Sequence, residues 1–584
     1  MPPALLPLLG VRVAAALEAA FGPGVSAPEP LVLPSKDPRH GDCTIAAPMA
    51  LARTLRKAPP VLAEELVAAL DVSDLCEPPV VVAPGFVNLR FRVDWLAEQV
   101  AAIAGDDRAG VEAVAEPQHV IVDYSGPNVA KEMHVGHLRS TVIGDCLADV
   151  YELLGHEVER VNHLGDWGTQ FGMLITHLAD TAPEALEEGA DVELGDLVAF
   201  YRAAKARFDD DPAFAERSRA RVVDLQSGEA TARQAWAALV SRSKAENQVV
   251  YDLLGVTGLQ DRGESSYEPM LADVVADLDR AGLLVVDDGA RCVFVDGFTN
   301  RDGDPLPLII QKADGGYNYA TTDLAAIRHR VGEGADRILY VFDAGQSQHI
   351  QMVFAVARAA GWLPDGVEAT HIAFGLVLGE DGKRLRTRFG ENVRLQELLH
   401  EAVQRARVFL EARAEERGEA LTDDADEIAR VVGIGAVVYA DLSQNRQSNY
   451  TFSFDRMLSL KGNTAPYLQY AYARIRSILR EAGWADAVPS DLAVVLAEPQ
   501  EVDLARVLVA LPDVLDRVAV DNAPNHLAAH LFELSQAFNQ LYEHCPVLKA
   551  NEPSRTSRLA LCAATARTLH LGLRLLGIEV VERI

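Results

Sequence analysis

The sequence predicts an α/β protein: a central domain on a doubly wound parallel sheet, a small α/β unit before it and an all-α region after it. Three observations carry this. Strand-like runs at His119-Val120-Ile121-Val122, Cys292-Val293-Phe294-Val295, Leu308-Ile309-Ile310, Ile338-Leu339-Tyr340-Val341-Phe342 and His371-Ile372-Ala373-Phe374 are separated by helical stretches, the alternation that crossover connections and a parallel sheet produce. Strand signals fade after about residue 395. No internal repeat or low-complexity linker interrupts the chain.

Residues 1–112 form the first unit. Leu6, Leu9, Val13 and Leu17 recur at helical spacing, and Val80-Val81-Val82 leads as a strand into Pro84-Gly85-Phe86-Val87-Asn88-Leu89. The opening MPPALLPLLGVRVAAALEAAFG is apolar but has no basic start, and Arg12 and Glu18 interrupt it. It reads as an amphipathic helix, not a secretory signal. Residues 113–395 form the sheet domain, with a helical insertion near 175–255 that is rich in Ala, Arg, Glu and Asp. Residues 396–584 read as helices; the stripe Leu527, Leu531, Leu534, Phe538, Leu541 steps by four, three, four and three, the pattern of a core-facing helix side.

At 584 residues, 49% hydrophobic and 24% charged, the composition is globular rather than disordered. With 54 basic and 85 acidic residues the net charge is −31. That excludes a general nucleic-acid coat protein, since phosphate contacts need positive charge, but leaves room for a local basic patch and a specific RNA partner. Only nine of the basic residues are Lys. None of the six cysteines falls in a CxxC pair, which argues for a reduced, cytoplasmic protein without a disulfide framework or a cysteine zinc site. No apolar stretch approaches the roughly 18 residues of a membrane span.

The chemistry concentrates in Val122-Asp123-Tyr124-Ser125-Gly126-Pro127-Asn128-Val129-Ala130-Lys131-Glu132-Met133-His134-Val135-Gly136-His137-Leu138-Arg139-Ser140-Thr141. A strand ends near Asp123, Gly126-Pro127 breaks the chain, and a helix begins around Gly136. His134 and His137 therefore occupy a first helical turn, where unpaired backbone N–H groups and the helix dipole favour an anion. Gly136 lets a flat ring or a phosphate approach the backbone. Competing readings are a zinc pair, for which HExxH and an obvious third ligand are missing, two structural histidines, and coincidence. Position decides for function: the motif follows a strand, opens a helix and is framed by Asp123, Ser125, Asn128 and Lys131.

His134-Val135-Gly136-His137 resembles the HIGH signature of class I aminoacyl-tRNA synthetases, and the longer string from Asp123 to Ser140 resembles arginyl-tRNA synthetases in particular. Further segments are similar in the same order: Arg39-His40-Gly41-Asp42-Cys43-Thr44 and Pro84-Gly85-Phe86-Val87-Asn88, Asn162-His163-Leu164-Gly165-Asp166-Trp167-Gly168, Gly315-Gly316-Tyr317-Asn318-Tyr319-Ala320-Thr321-Thr322-Asp323, and Gly462-Asn463-Thr464-Ala465-Pro466-Tyr467-Leu468-Gln469-Tyr470. The resemblance implies a Rossmann-like catalytic domain between an N-terminal tRNA-binding domain and a helical anticodon-binding domain. It implies ATP-dependent ligation of arginine to its tRNA through an arginyl-adenylate, with Mg²⁺ on the ATP phosphates. It assigns Asp123, Ser125, Asn128, Glu264, Tyr319, Asp323 and Gln346 to the arginine site, and His134, Gly136, His137 and His349 to ATP. Independently, Tyr319 and Asp323 are four apart and share a helix face, and a guanidinium calls for a fixed carboxylate.

One departure stands out. The family's second signature, KMSKS, is replaced by Gly379-Glu380-Asp381-Gly382-Lys383-Arg384-Leu385-Arg386-Thr387-Arg388. It reads as a basic loop whose Lys383, Arg386 and Arg388 approach the ATP phosphates or the tRNA end, or as a plain surface turn. The resemblance implies that Lys131 supplies the missing cation. It also implies that arginine activation requires bound tRNA. Candidate tRNA contacts are Arg39, His40, Lys461, Tyr467, Tyr470, Tyr472, Arg474 and Arg476. The expected assembly is a monomer. A small nucleotidylyltransferase would also use HxGH but leaves the 190 C-terminal residues unexplained, and a catalytically silent RNA-binding scaffold leaves the intact motif unexplained.

Overall fold

The computed structural model describes residues 4–35, 37–168, 170–186, 197–300, 302–386, 393–418, 420–485, 487–489 and 491–583. The chain forms two compact units, Met1–Val114 with Met457–Ile584, and Ala115–Arg456.

In the first unit, the helix Leu5–Phe21 buries Leu5, Leu9, Val13 and Leu17; Leu5 takes the inward place expected of Leu6. An antiparallel sheet runs in the order Val32–Pro34, Cys43–Ile45, Phe86–Leu89, Val80–Val82. The stripe from Leu527 to Leu541 lies fully buried along the helix Asn525–His544. Sequence-distant pieces are tied by polar contacts as well as packing: Arg506 Nε lies 2.8 Å from Asp42, and Arg567 Nε donates to the Ala104 carbonyl at 2.6 Å.

The second unit is built on a five-stranded parallel sheet in the order Glu368–His371, Arg337–Tyr340, His119–Asp123, Glu157–Asn162, Gln260–Asp261. The central strand His119–Asp123 buries Val120, Ile121 and Val122 completely, as a strand covered on both faces must. Two expected members are elsewhere. The runs at Cys292 and Leu308 belong to a separate antiparallel sheet, Val285–Asp287, Ala290–Thr299 and Pro305–Gln311. The turn-forming residues between them, where the Asn300 side chain accepts from Asp302 N and Asp304 N, are too few to hold a crossover helix. The parallel strands Glu157–Asn162 and Gln260–Asp261 had no strong strand signal: the first alternates charged residues through its middle and the second is two residues long. The run at His371–Phe374 begins where its strand ends.

The predicted helical insertion is Gln170–Thr181, Leu197–Asp210, Pro212–Gln226 and Ala230–Leu254. It connects neighbouring parallel strands. After it the chain returns to the other side of the central strand, so the sheet reverses direction between His119–Asp123 and Arg337–Tyr340. Open parallel sheets bind ligands in the crevice at the carboxyl ends of the strands flanking such a reversal. The helix Val135–Leu153 packs tightly on this point: a Cβ at Gly144 would lie 2.3 Å from Tyr124 side-chain atoms. Among the described residues no helix is long and apolar enough to cross a membrane, and all six cysteines are free and buried.

Candidate active site

A cleft of about 700 Å³ opens at the reversal point. Its walls come from the loop after His119–Asp123 (Ser125, Gly126, Asn128), the tip of the helix Val135–Leu153, and the segment Val341–His349 after Arg337–Tyr340.

The strand-exit loop is held in an uncommon conformation. Ser125 has φ +72° and Gly126 φ +57°, and a left-handed non-glycine residue needs support from its surroundings. Ser125 N donates to Ser140 Oγ at 2.8 Å, Ser125 Oγ meets Tyr251 OH at 2.9 Å, and Gly126 N donates to Asn162 Oδ1 at 3.0 Å. Asn128 sits over Gly165, where any Cβ would fall 2.2 Å from Asn128 Oδ1.

At the helix tip His134 is the N-cap. Its Nδ1 accepts from Gly136 N at 3.1 Å, and His137 Nδ1 accepts from His134 N at 3.0 Å. The rings stack with centroids 4.0 Å apart. Gly136 is needed because the His134 ring folds over it, 2.9 Å from where a Cβ would be. A ring nitrogen that accepts carries no proton, so each imidazole is the Nε2–H tautomer and presents one donor. Burial, with Arg384 next in weight, lowers the pKa of His134; burial, with His134 and Lys131 behind it, lowers that of His137 to about 3. Both rings are neutral donors at pH 7.

The opposite wall is acidic. Asp323, on the helix Tyr319–Gly332, lies 2.6 Å from His349 Nε2, and the Tyr319 and His349 rings meet edge to face at 4.7 Å. Glu264 lies in the same cleft, where burial and then the charges of Asp323 and Asp166 push its pKa up to about 8. Gln346 also lines the cleft, its Nε2 donating to Asp343 Oδ2 at 3.1 Å. The cavity thus combines neutral N–H donors and a helix N-terminus with two carboxyl groups, Asp323 hydrogen-bonded to His349 and Glu264 disfavoured as the anion.

Of the residues singled out from sequence, the structure brings Ser125, Asn128, His134, Gly136, His137, Glu264, Tyr319, Asp323, Gln346 and His349 into this one cleft. It does not bring four others there. Asp123 is buried behind the wall with Oδ2 2.7 Å from Arg330 Nη2. Lys131 is exposed with Nζ 5.5 Å from the Tyr201 ring centroid. Lys383 and Arg386 are exposed outside the cleft. Arg388 lies outside the described residues. The basic loop instead contributes Arg384. Gly379 N donates to Lys383 O at 2.7 Å and Arg384 bridges Leu378, so the loop begins as a tight hairpin turn that brings Arg384 and Leu385 to the cavity. Also missed from sequence were His163 and Arg139 in the walls and Tyr251 behind Ser125. Tyr251 belongs to the insertion, whose polar composition gave no sign of an inward-facing hydroxyl.

Residues 99–454 match the family described as tRNA synthetases class I (R), catalytic domain; residues 9–91 match the arginyl tRNA synthetase N terminal domain and 468–584 the DALR anticodon binding domain. The chain belongs to the class I arginyl-tRNA synthetases. It is 56% identical over 575 residues, 98% of each chain, to a Synechococcus elongatus protein named arginine–tRNA ligase, and 53% identical over 581 residues, 99% of each, to one from Thermosynechococcus vestitus. Among solved structures it is similar to the arginyl-tRNA synthetase of Plasmodium falciparum, with TM-score 0.86 and 28% identity over 100% of this chain and 99% of that one. It is also similar to that of Thermus thermophilus, with TM-score 0.81 and 25% identity over 99% and 100%.

In this synthetase the candidate tRNA contacts differ in availability. Arg474 stacks on Tyr470 and Tyr542 at 4.8 and 5.2 Å, and Tyr467 OH accepts from Asn539 at 2.7 Å. Tyr472 is buried, Arg476 is paired with Glu582 at 2.9 Å, and Arg39 is exposed but paired with Asp37. His40 and Lys461 are exposed.

Proposed function

We infer that this chain charges tRNA with arginine by the two-step reaction of its family, using the cleft at the sheet reversal for both substrates. The arginine carboxylate attacks the α-phosphate of ATP, the bond to the β-phosphate breaks, and arginyl-adenylate and pyrophosphate result. The adenylate then passes its arginyl group to a ribose hydroxyl at the tRNA end, releasing AMP. No protein nucleophile is needed, so the work of the protein is alignment and stabilisation of phosphate charge. His134 Nε2–H, His137 Nε2–H, the N-terminus of the helix Val135–Leu153 and Arg384 suit the phosphates. Glu264 and Asp323 suit the guanidinium, with Tyr319, Gln346, Asn128 and Ser125 around the amino acid.

The observation that carries this reading is that one cavity combines neutral N–H donors with two carboxyl groups, Glu264 and Asp323, that the other lining residues do not meet with an Arg or Lys side chain among the described residues. Mg²⁺ would arrive on ATP itself. Among the described residues no three His, Cys, Asp or Glu side chains converge into a cage, and Mg²⁺ ordinarily binds through substrate phosphates plus few carboxylates. Lys383, Arg386 and Lys131, outside the cleft, are proposed to meet the tRNA end or the outer phosphates on closure. The stacked Tyr470, Arg474 and Tyr542 group is proposed as an anticodon-loop platform. The enzyme is proposed to act as a cytoplasmic monomer.

Pyrophosphate exchange with each amino acid in turn, with and without unfractionated tRNA, tests the reading. Exchange with arginine alone among the amino acids, and only when tRNA is added, is the expected result. Exchange driven by another amino acid contradicts it.

A further inference from the structure

Arg139 and Arg330 are the largest fully buried side chains among the described residues, and Arg139, 1% exposed, also reaches the wall of the cleft. It stands five residues after His134 on the helix Val135–Leu153. Its Nε lies 3.1 Å from Asp441 Oδ2 on the helix Ala425–Leu442, and its Nη1 donates to the Ser448 carbonyl at 3.1 Å. The guanidinium is 5.2 Å from the Tyr450 ring and 5.7 Å from that of Phe374.

What Arg139 holds matters more than the pair itself. The stretch after Asp441 is stitched along the strand that leads into the basic loop. Gly375 N donates to Arg446 O at 2.9 Å, Leu376 N to Asn449 Oδ1 at 2.7 Å, and Phe452 N to Leu378 O at 2.8 Å, while Val377–Leu378 pairs in parallel with Tyr450–Thr451. Gly375 has no room for a side chain, since a Cβ would lie 2.7 Å from Ser448 backbone. Beyond the loop the chain returns to the same helix tip, where Leu395 N donates to Met133 O at 2.9 Å and Arg394 bridges His134.

We propose that Arg139 is a positioning residue for adenylate formation: through Asp441 and Ser448 it fixes the helix tip bearing His134 and His137 against the loop bearing Arg384. The proposal rests on the reading of the cleft given above. A buried ion pair adds little net stability compared with apolar side chains of like volume. Its planar, multi-donor geometry instead fixes one relative placement of the two segments. Misplacement of reacting groups by about 1 Å costs on the order of 100-fold in rate.

The test compares wild type with Arg139→Lys and Asp441→Asn in arginine-dependent pyrophosphate exchange in the presence of tRNA, with equilibrium binding of arginine measured in parallel. Arg139→Lys keeps the charge and loses the fork; Asp441→Asn keeps the shape and loses the charge. Both are expected to lower kcat by roughly 10- to 100-fold at a temperature where circular dichroism shows them folded, with arginine affinity within about twofold of wild type. Tyr450→Phe, which removes one hydroxyl beside Asp441, is expected to move kcat the same way by less and serves if the other two do not fold. Wild-type kcat in the folded variants, with only a lower unfolding midpoint, overturns the proposal and leaves a structural pair. Inactive wild-type enzyme, or exchange driven by another amino acid, would instead count against the reading of the cleft.

Discussion

Asp123 ends one parallel strand and Glu264 follows another, in the same compact unit, yet their environments are opposed. Asp123 is 1% exposed and faces Arg330, itself 0% exposed, at 2.7 Å. The protein there supplies its own guanidinium. Glu264 is buried near Asp323 and Asp166, and burial first, then those two charges, push its pKa up to about 8. Asp323 meets His349 Nε2 at 2.6 Å. One acid is neutralised within the fold by its own arginine; Glu264 is buried without such a partner among the described residues, which suits the proposed guanidinium. A carboxylate in a motif therefore says little about its role until its partner is known.

Breaking the internal pair has the largest expected effect. Asp123→Asn leaves Arg330 buried without its counter-charge and should destabilise the protein by about 3–5 kcal/mol, read by urea unfolding, with arginine affinity less affected than stability. The cleft acids should respond in reverse. Glu264→Gln removes a partner that the ligand would otherwise desolvate and pair with, a loss of about 2–5 kcal/mol in kcat/KM for arginine, with stability retained. The sign for stability follows from the raised pKa. Glu264 favours the folded state below its ordinary carboxylate range and this contribution is lost as pH rises towards 8. Glu264→Gln should therefore match or exceed wild-type stability at pH 8 to 9, and a marked loss there would break the contrast. Smaller again is Gly144→Ala. A helix interior usually gains from this change, but here the Cβ meets Tyr124, and overpacking of about 1–3 kcal/mol is expected in the same unfolding measurement.

The sequence was most legible where chemistry and backbone coincide. His134 and His137 could be placed at a helix N-terminus because strand, Gly-Pro break and helix follow within one short stretch, and the structure has them there. The core stripe from Leu527 to Leu541 was equally readable from its spacing. Partners across the fold were not readable. Nothing near Asp123 announces Arg330, and nothing in the insertion announces Tyr251. The antiparallel hairpin around Asn300 reads as parallel strands from sequence because strand runs carry no sign of direction. Nothing in the sequence separates Arg384 from Lys383 and Arg386, because charge alone does not say which residues of a turn meet the cavity.

On the proposed reading of the cleft, burial holds Glu264 protonated at neutral pH until a guanidinium pairs with it. Arginine's own guanidinium does not titrate near neutrality, so binding must release the proton from Glu264. Titration calorimetry of arginine into the enzyme at pH 7, in buffers of different ionisation enthalpy, measures it directly. The predicted result is net proton release on arginine binding at pH 7, with affinity rising between pH 7 and 9. A binding enthalpy independent of buffer, with affinity flat across that range, would contradict it.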